Sequence, residues 1–511
     1  MLARSLSYTT LGLSALPVLV EVDVSRGLPA LTIVGLPDQA VREAKERVRS
    51  AILNSQYHIP TQRITVNLAP ADLKKAGGAF DLPIALAILA ATGQVDPERV
   101  GSVVAIGELA LDGSLRPVPG VLVMALALAK AGGRAGGRPP YLLIPRVSAQ
   151  EGAAVRGVSV IGLASLAEAA GWLAGTCQIP PTRRSRLGWS RRASQDVDFA
   201  DVRGQAHVKR ALEVAAAGAH HVLLIGPPGA GKTMLAERLP TILPLLTLQE
   251  ALEVTKLQSV AGRIDGRPLS RRPPFRAPHH TSSAAALIGG GSLPAPGEIS
   301  LAHQGVLFLD ELPEFRRDVL EGLREPLEHG VVQIARARLS VAFPARFQLV
   351  AAMNPCPCGF LGDPRGRCRC DAGQRHRYRA RLSGPLLDRI DLQVEVPAVP
   401  VELLTQASPS ESSAAIRTRV LRAQQYRLAR RQAYPSARLR ARDLKTYCEL
   451  TPDGLALLRS ALQQLALSAR AYTKILKIAR TIADLAASPQ LLPEHLAEAI
   501  QYRSLDRALW P

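Results

Sequence analysis

The stretch HVLLIGPPGAGKTMLAERL, residues 221–239, constrains the fold more than any other in the chain. An apolar run from His221 to Ile225 reads as a buried strand, which enters GPPGAGKT (226–233) and then an amphipathic helix. This strand–loop–helix order places the region in the α/β class, on a parallel sheet. Glycines 226, 229 and 231 let successive backbone amides curve around a phosphate, and the following helix adds its positive N-terminal end. The segment Gly226, Pro227, Pro228, Gly229, Ala230, Gly231, Lys232 and Thr233 is therefore expected to bind ATP. Lys232 should reach the β- and γ-phosphates, and the Thr233 hydroxyl should meet Mg²⁺. A lone glycine-rich turn would say little; the full spacing in this context is specific.

Its partner is GVLFLDELPEF (305–315), where four apolar residues carry Asp310 and Glu311 to a strand's end. Asp310 suits Mg²⁺ binding and Glu311 suits polarising an attacking water. The strand in RFQLVAAMNP (346–355) ends on Asn354, which either caps the strand or holds the lytic water as the residue called sensor 1. In LLDRIDL (386–392), Arg389 lies between carboxylates. It can form an intramolecular salt bridge or serve the ATP of a neighbouring subunit. Arg470 starts a helix in LSARAYTKILKIARTIADL (467–485), suited to reaching back over the phosphates as sensor 2.

Length bounds the rest. At 511 residues the chain exceeds one hydrophobic core. Residues 1–175 alternate β-rich runs (LPALTIVGLP, RITVNLAP) with helical ones (DQAVREAKERVRSAILNS, FDLPIALAILAATG). Residues 176–195 form a basic linker. The ATPase core is expected over 196–398, with a cysteine- and arginine-rich insertion at 355–384, and 399–511 reads as a helical lid, several of whose helices start with a Ser, Thr or Asp able to cap them. GGRAGGRPP (132–140) reads as a loop, and no repeat at solenoid spacing is present. No apolar run reaches the ~18 residues a spanning helix needs, so no membrane is expected. The early LGLSALPVLV reads as a buried strand and not a signal peptide. Six cysteines are too few for a disulfide scaffold, and a cytoplasmic setting is expected.

Four of those six fall within fifteen residues: Cys356, Cys358, Cys368 and Cys370. Two C-x-C arms could close a tetrahedral Zn²⁺ site, although the spacing is tighter than usual. Free thiols and an iron–sulfur site are the alternatives. Arginines follow at 365, 367, 369, 375, 377, 379 and 381, with Tyr378 among them. Arg365, Arg367, Arg369, Arg375, Arg377, Arg379 and Arg381 could meet successive phosphates of DNA while Tyr378 stacks on a base; a solvated charge run is the alternative. The formal net charge of +20, from 63 basic and 43 acidic residues, favours a polyanionic partner, though a GC-rich genome also raises arginine use.

Taken together, these residues resemble the AAA+ ATPases. FRAPHHTSSAAALIGGG, PGEISLAHQGVLFLDELPEF, LREPLEHG and LLDRIDL resemble the magnesium-chelatase-type branch, which includes the ATPases of replicative MCM helicases. This resemblance spans 196–511. It implies a hexameric ring with ATP between subunits, an inserted structure over 270–300, and a pore-directed hairpin at VVQIARARLSVAFP (331–344). VNLAPADLKKAGGAFDLPIALAILAATG and AIGELALDGSLRPVPGVLVMALALAKAGG resemble the proteolytic domain of Lon proteases, a ribosomal-protein-S5-like α/β fold. Lon uses a serine and a lysine, whereas GGAFDLP (77–83) holds no Ser and VPGVLVMALA (118–127) no Lys, so peptidase chemistry should be absent. The combination resembles the bacterial ComM, YifB or Mg chelatase-like family along essentially the whole chain. That resemblance implies a ring helicase that drives branch migration on branched or single-stranded DNA during natural transformation. A chelatase-type motor that remodels a protein partner and a nucleotide-gated DNA scaffold are the alternatives.

Overall fold

A computed structural model describes residues 1–73, 75, 77–132, 139–184, 197–264, 269–291, 294–336, 339–362, 366–399, 410–465 and 468–503. Arg365, most of the basic linker and part of the 132–140 loop lie outside the described residues.

The N-terminal region is built on seven strands: β1 (Leu2–Leu11), β2 (Ser14–Ser25), β3 (Ala30–Val34), β4 (Arg63–Ala69), β5 (Val103–Ala105), β6 (Tyr141–Pro145) and β7 (Ser159–Leu163). Their order is β3-β4-β2-β1-β5-β6-β7. The pairs β1/β2 and β2/β4 are antiparallel; the others are parallel. Helix α1 (Gln39–Asn54) starts where the Asp38 side chain accepts the amide of Val41, and it turns Val41, Ala44, Val48, Ala51 and Ile52 inward. Helix α2 (Asp81–Ala91) is apolar all round and buried along its whole length. Helix α3 (Val121–Gly132) packs against β1 and β2 in a separate apolar cluster. The apolar LGLSALPVLV crosses a hairpin instead of forming one strand. Gly12 makes the turn at φ +59°, and a side chain there would strike Val341.

The central region holds five short parallel strands: β8 (Val222–Ile225), β9 (Phe275–Arg276), β10 (Val306–Leu309), then, after the antiparallel hairpin β11 (Val331–Arg336) and β12 (Leu339–Pro344), β13 (Gln348–Met353) and β14 (Leu392–Glu395). The order is β9-β10-β13-β8-β14. Strands β8, β10 and β13 are unbroken apolar or amide runs because both faces are covered, as parallel sheets require. Helix α4 (Lys232–Ile242) follows β8, and α5 (Leu248–Val260) follows α4. Because all five strands point the same way, the loops that leave β8, β10 and β13 collect at one edge of the sheet. Residues that enter β14 lie at the other.

Helix α6 (Ala372–Arg379) lies between β13 and β14, and beyond the sheet come α7 (Ser413–Ala429), α8 (Pro452–Gln464), α9 (Ala469–Leu485) and α10 (Pro493–Gln501). Ser412, Thr451 and Ser468 cap α7, α8 and α9. Helices α7 and α9 share one apolar core with α4 and the sheet. The N-terminal region rests on this body at two places. The Ser259 hydroxyl at the end of α5 donates to the buried Glu151 carboxylate at 2.6 Å, and Gly120 N donates to Ser259 O at 2.9 Å. Leu11 and Leu13, flanking the Gly12 turn, pack beside the β11–β12 hairpin.

Candidate nucleotide site and the cysteine loop

The phosphate loop leaves β8 through Gly226, where an added Cβ would lie 2.1 Å from the Val396 carbonyl. Gly229 and Gly231 adopt φ +76° and +83°, and the space before Gly229 is open. Only glycine fits this path, and the loop is left concave toward that space. Lys232 begins α4; its Nζ donates to Gly226 O (2.7 Å), Pro227 O (2.9 Å) and Asn354 Oδ1 (3.1 Å). Burial draws its ammonium below the usual lysine range, against the opposing charges of Asp310 and Glu311. The Thr233 hydroxyl donates to Asp310 Oδ2 at 2.7 Å. A hydroxyl and a carboxylate so placed, beside a lysine and a glycine-rich turn open at Gly229, are a donor set that fits ATP with Mg²⁺. Asn354 is drawn to Lys232 from β13, so this asparagine and the phosphate loop meet directly.

Glu311 follows Asp310 in the left-handed region (φ +52°), its amide donating to Asp310 Oδ1 at 2.9 Å. Its carboxylate is exposed and stands 3.2 Å from His280 Nδ1. His280 is absent from the sequence-derived site. It belongs to the loop after β9, the neighbour of β10, and the paired histidines of FRAPHHTSS were the available signal. Only strand order shows that this loop faces Glu311.

Arg389 and Arg470 are not at this edge. Asp391 and Leu392 amides donate to His221 O, so the approach to β14 lies beside the beginning of β8, whereas Ile225, at its end, pairs with Glu395. One four-residue strand, roughly 13 Å, separates the two arginines from the phosphate loop. Arg389 donates to the carboxylate of Glu328 and to Pro385 O (2.6 Å). Arg470 pairs with Asp388 at 2.6 Å. Arg470, expected to reach back over the phosphates as sensor 2, is thus held by Asp388 at the opposite end of the sheet from its own chain's Lys232. The Lys474 ammonium, 3.1 Å from the buried Asp391 carboxylate, fixes α9 to the opposite edge. Lys474 and His220 hold that carboxylate well below its usual range against the cost of burial.

The four cysteines leave the sheet just after Asn354 and converge. Their Sγ atoms all lie within 4.8 Å of one another. The basic segment divides. Arg367, Arg369 and Arg377 are exposed, with Arg367 over the Phe360 ring at 4.2 Å. Arg375 Nε donates to Asp371 O at 3.3 Å, Arg379 is half-buried, and Arg381 pairs with Glu314 at 2.6 Å. Tyr378 does not present a ring for stacking on a base. It is 6% exposed, and its phenol accepts the Asn354 amide, burial pushing its pKa up to about 12. The apolar core beneath the sheet takes the ring because α6 is short and Tyr378 is its only large apolar side chain.

Three family models match: "Magnesium chelatase, subunit ChlI" over 198–404, "Subunit ChlI of Mg-chelatase" over 20–135, and "Magnesium chelatase, subunit ChlI C-terminal" over 410–503. The chain is 45% identical over 500 residues to the uncharacterized protein YifB of Salmonella typhimurium, covering 98% of this chain and 96% of the relative. It is 45% identical over 514 residues to the competence protein ComM of Haemophilus influenzae, covering 99% and 98%. The magnesium-chelatase 38 kDa subunit of Cereibacter sphaeroides is 26% identical over 215 residues, 39% of this chain and 58% of that one. Among the described residues no helix is long and apolar enough to cross a membrane. With a glycine-rich loop, paired carboxylates and an asparagine gathered on a five-stranded parallel sheet, and full-length likeness to ComM and YifB, this chain belongs to the ComM/YifB magnesium-chelatase-like family of AAA+ ATPases.

Proposed function

We propose that this chain assembles into a ring, hexameric by family habit, that hydrolyses ATP between subunits and uses the cycle to move branched DNA. One observation carries the ring: the arginines a phosphoryl-transfer site needs, Arg389 and Arg470, stand at the sheet edge opposite Lys232. A neighbour's nucleotide is then the one they can serve. ATP with Mg²⁺ supplies the phosphoryl group and its charge neutralisation when bound. Lys232 and the glycine amides hold the phosphates, Thr233 and Asp310 hold the metal side, and Asn354 and Glu311 orient and polarise water.

DNA as the substrate is supported by the +20 charge, by the exposed Arg367, Arg369 and Arg377, and by the hairpin β11–β12. Arg365 would add to that surface. The printed name of ComM, a competence protein, supports a role in recombination of incoming DNA. The four thiols are read as one structural Zn²⁺ site, closed to catalysis because no ligand position stays open. Residues 1–175 are read as a platform without peptidase chemistry, consistent with a buried, hydroxyl-free start to α2. Casein incubated with the protein and ATP should remain intact.

The deciding assay offers purified protein a fork, a three-strand intermediate and a four-way junction, with ATP and with a non-hydrolysable analogue. Strand exchange that needs hydrolysis supports the motor. Binding without exchange on every substrate, by protein that turns over ATP, leaves a nucleotide-gated scaffold. Turnover that responds to no DNA at all would favour a chelatase-type motor acting on a protein partner.

A further inference from the structure

The cysteine cluster touches the nucleotide site at two points, and this contact gives the metal a purpose. We propose that Zn²⁺ held by Cys356, Cys358, Cys368 and Cys370 braces the phosphate loop and Asn354, so that metal occupancy sets nucleotide affinity. The proposal rests on the zinc reading above and adds a regulatory role to it.

The sulfur geometry comes first. Cys356 Sγ lies 3.4 Å from Cys358 Sγ and 3.8 Å from Cys368 Sγ, and the Cys358–Cys368 separation is 3.8 Å. Thiolates ~2.3 Å from one tetrahedral zinc are about 3.8 Å apart. A disulfide needs ~2.05 Å, and an iron–sulfur cluster spreads its cysteines over several metal atoms, hence farther apart. Backbone amides of Leu361 and Gly359 are directed at Cys356 Sγ, and those of Phe360 and Arg369 at Cys358 Sγ. Amide donors aimed at sulfur stabilise thiolate ligands and fix their direction.

The path of the chain then closes a circuit through Asn354. The first arm turns at Gly359, φ +83°, where an added Cβ would stand 2.5 Å from Pro228 Cδ and 3.7 Å from Asn354 Cγ. The tip of this arm therefore presses on the phosphate loop itself. The second arm ends at Cys370, next to Asp371, which caps α6 by accepting the Gln374 amide at 2.7 Å. Helix α6 brings the buried Tyr378 phenol back to the Asn354 amide. Asn354 in turn accepts from Lys232. A metal that joins the two arms thus joins both routes by which this loop positions Asn354 and Pro228. Without it, the described residues of the two arms, of which only Cys356 and Gly359 are buried, have little apolar area to hold them in place.

The test uses the full chain. Metal analysis of protein purified without chelator should give one zinc per chain, and growth with Co²⁺ should yield thiolate-to-cobalt absorption. Affinity for a fluorescent ATP analogue is then measured before zinc removal by a thiol-directed mercurial with chelator, after it, and after excess dithiothreitol has stripped the mercurial from the cysteines and Zn²⁺ has been returned. Removal should weaken binding about tenfold or more, and Zn²⁺ should restore it. Gly359→Val keeps all four thiols, so it should retain zinc and still weaken binding. Circular dichroism establishes that each form is folded. One zinc per chain with unchanged affinity on removal and in G359V overturns the brace and leaves the zinc reading intact. Folded protein without zinc overturns both.

Discussion

The N-terminal sheet and the ATPase sheet both deliver a polar side chain to the start of a helix, and they treat it in opposite ways. At the first, Asp81 begins α2 fully buried; Arg47 donates to it at 2.7 and 3.0 Å, and the Leu109 amide at 3.2 Å. Its bonding capacity is taken up inside the protein. At the second, Thr233 and Glu311 are exposed and Asp310 is half-buried, while the glycines around them leave space for another molecule. Both are satisfied polar clusters on α/β scaffolds. What separates them is exposure: the first is enclosed within the chain, and the second opens to solvent. The first should govern stability and the second turnover.

The sharpest way to break that contrast lies at the ring interface. Arg389→Ala should reduce ATP turnover by about 10³-fold or more, with little change in unfolding midpoint. Lys232→Ala should be inactive as well. Mixing subunits of the two variants tests the trans role: an excess of Arg389→Ala with Lys232→Ala should regain activity through interfaces that pair an intact arginine with an intact phosphate loop. No recovery in a mixture shown to co-assemble would remove Arg389 from the neighbour's site.

Next in size is Asp81→Ala, which leaves Arg47 without its partner in a low-dielectric setting. Breaking such a pair costs ~3–5 kcal/mol, read as a shift in the urea unfolding of the N-terminal region. Turnover per folded molecule should hold. Loss of activity in fully folded D81A protein would refute the separation of roles.

A pH experiment isolates the same carboxyl. Burial outweighs the Arg47 guanidinium and pushes Asp81 up to about 6. The folded state then keeps a proton that the unfolded chain releases. This contribution is fully present below about pH 4 and is lost as the pH rises through 6. The two-unit shift is worth up to about 3 kcal/mol. Asp81→Asn should remove this component of the pH slope. Equal slopes for the wild type and D81N between pH 4.5 and 7.5 would show that the ion pair, not burial, sets the titration.

The smallest effect belongs to His280. Its contact with Glu311 is a single polar one at an exposed site, so His280→Ala should alter kcat by about tenfold or less with KM for ATP nearly constant. His280→Asn should recover much of the difference. An altered KM with constant kcat would instead place His280 in nucleotide binding.

How much was legible in the sequence follows from the range over which each signal acts. The phosphate loop is local: its glycine positions, its strand and its helix are contiguous, and the residues from Gly226 to Thr233 stand as the spacing predicts. Asp310, Glu311 and Asn354 were legible for a related reason. Each ends an apolar run that only a buried parallel strand explains, and parallel strands bring their carboxyl ends to one edge. The helix starts at Ser412, Thr451 and Ser468 were equally local, since a cap bonds to amides within three residues. Convergence of the cysteines was implied by their count, though not their pressure on Pro228.

Other placements depend on distant contacts. Tyr378 sits in a run of arginines whose composition suggests solvent and DNA, yet α6 lies against the sheet and the one large apolar ring of that helix is taken into the core. Arg470 begins a helix well suited to approach a nucleotide, but Lys474, one turn on, pairs with Asp391 and docks the helix at the far edge. His280 meets Glu311 only because β9 pairs with β10. Sequence by itself marked the residues proposed to bind phosphate, metal and water, because those chemistries are written in residue type and short spacing. Tertiary structure alone decided which of them share an edge, because sheet order and helix docking are set by burial between segments far apart in the chain.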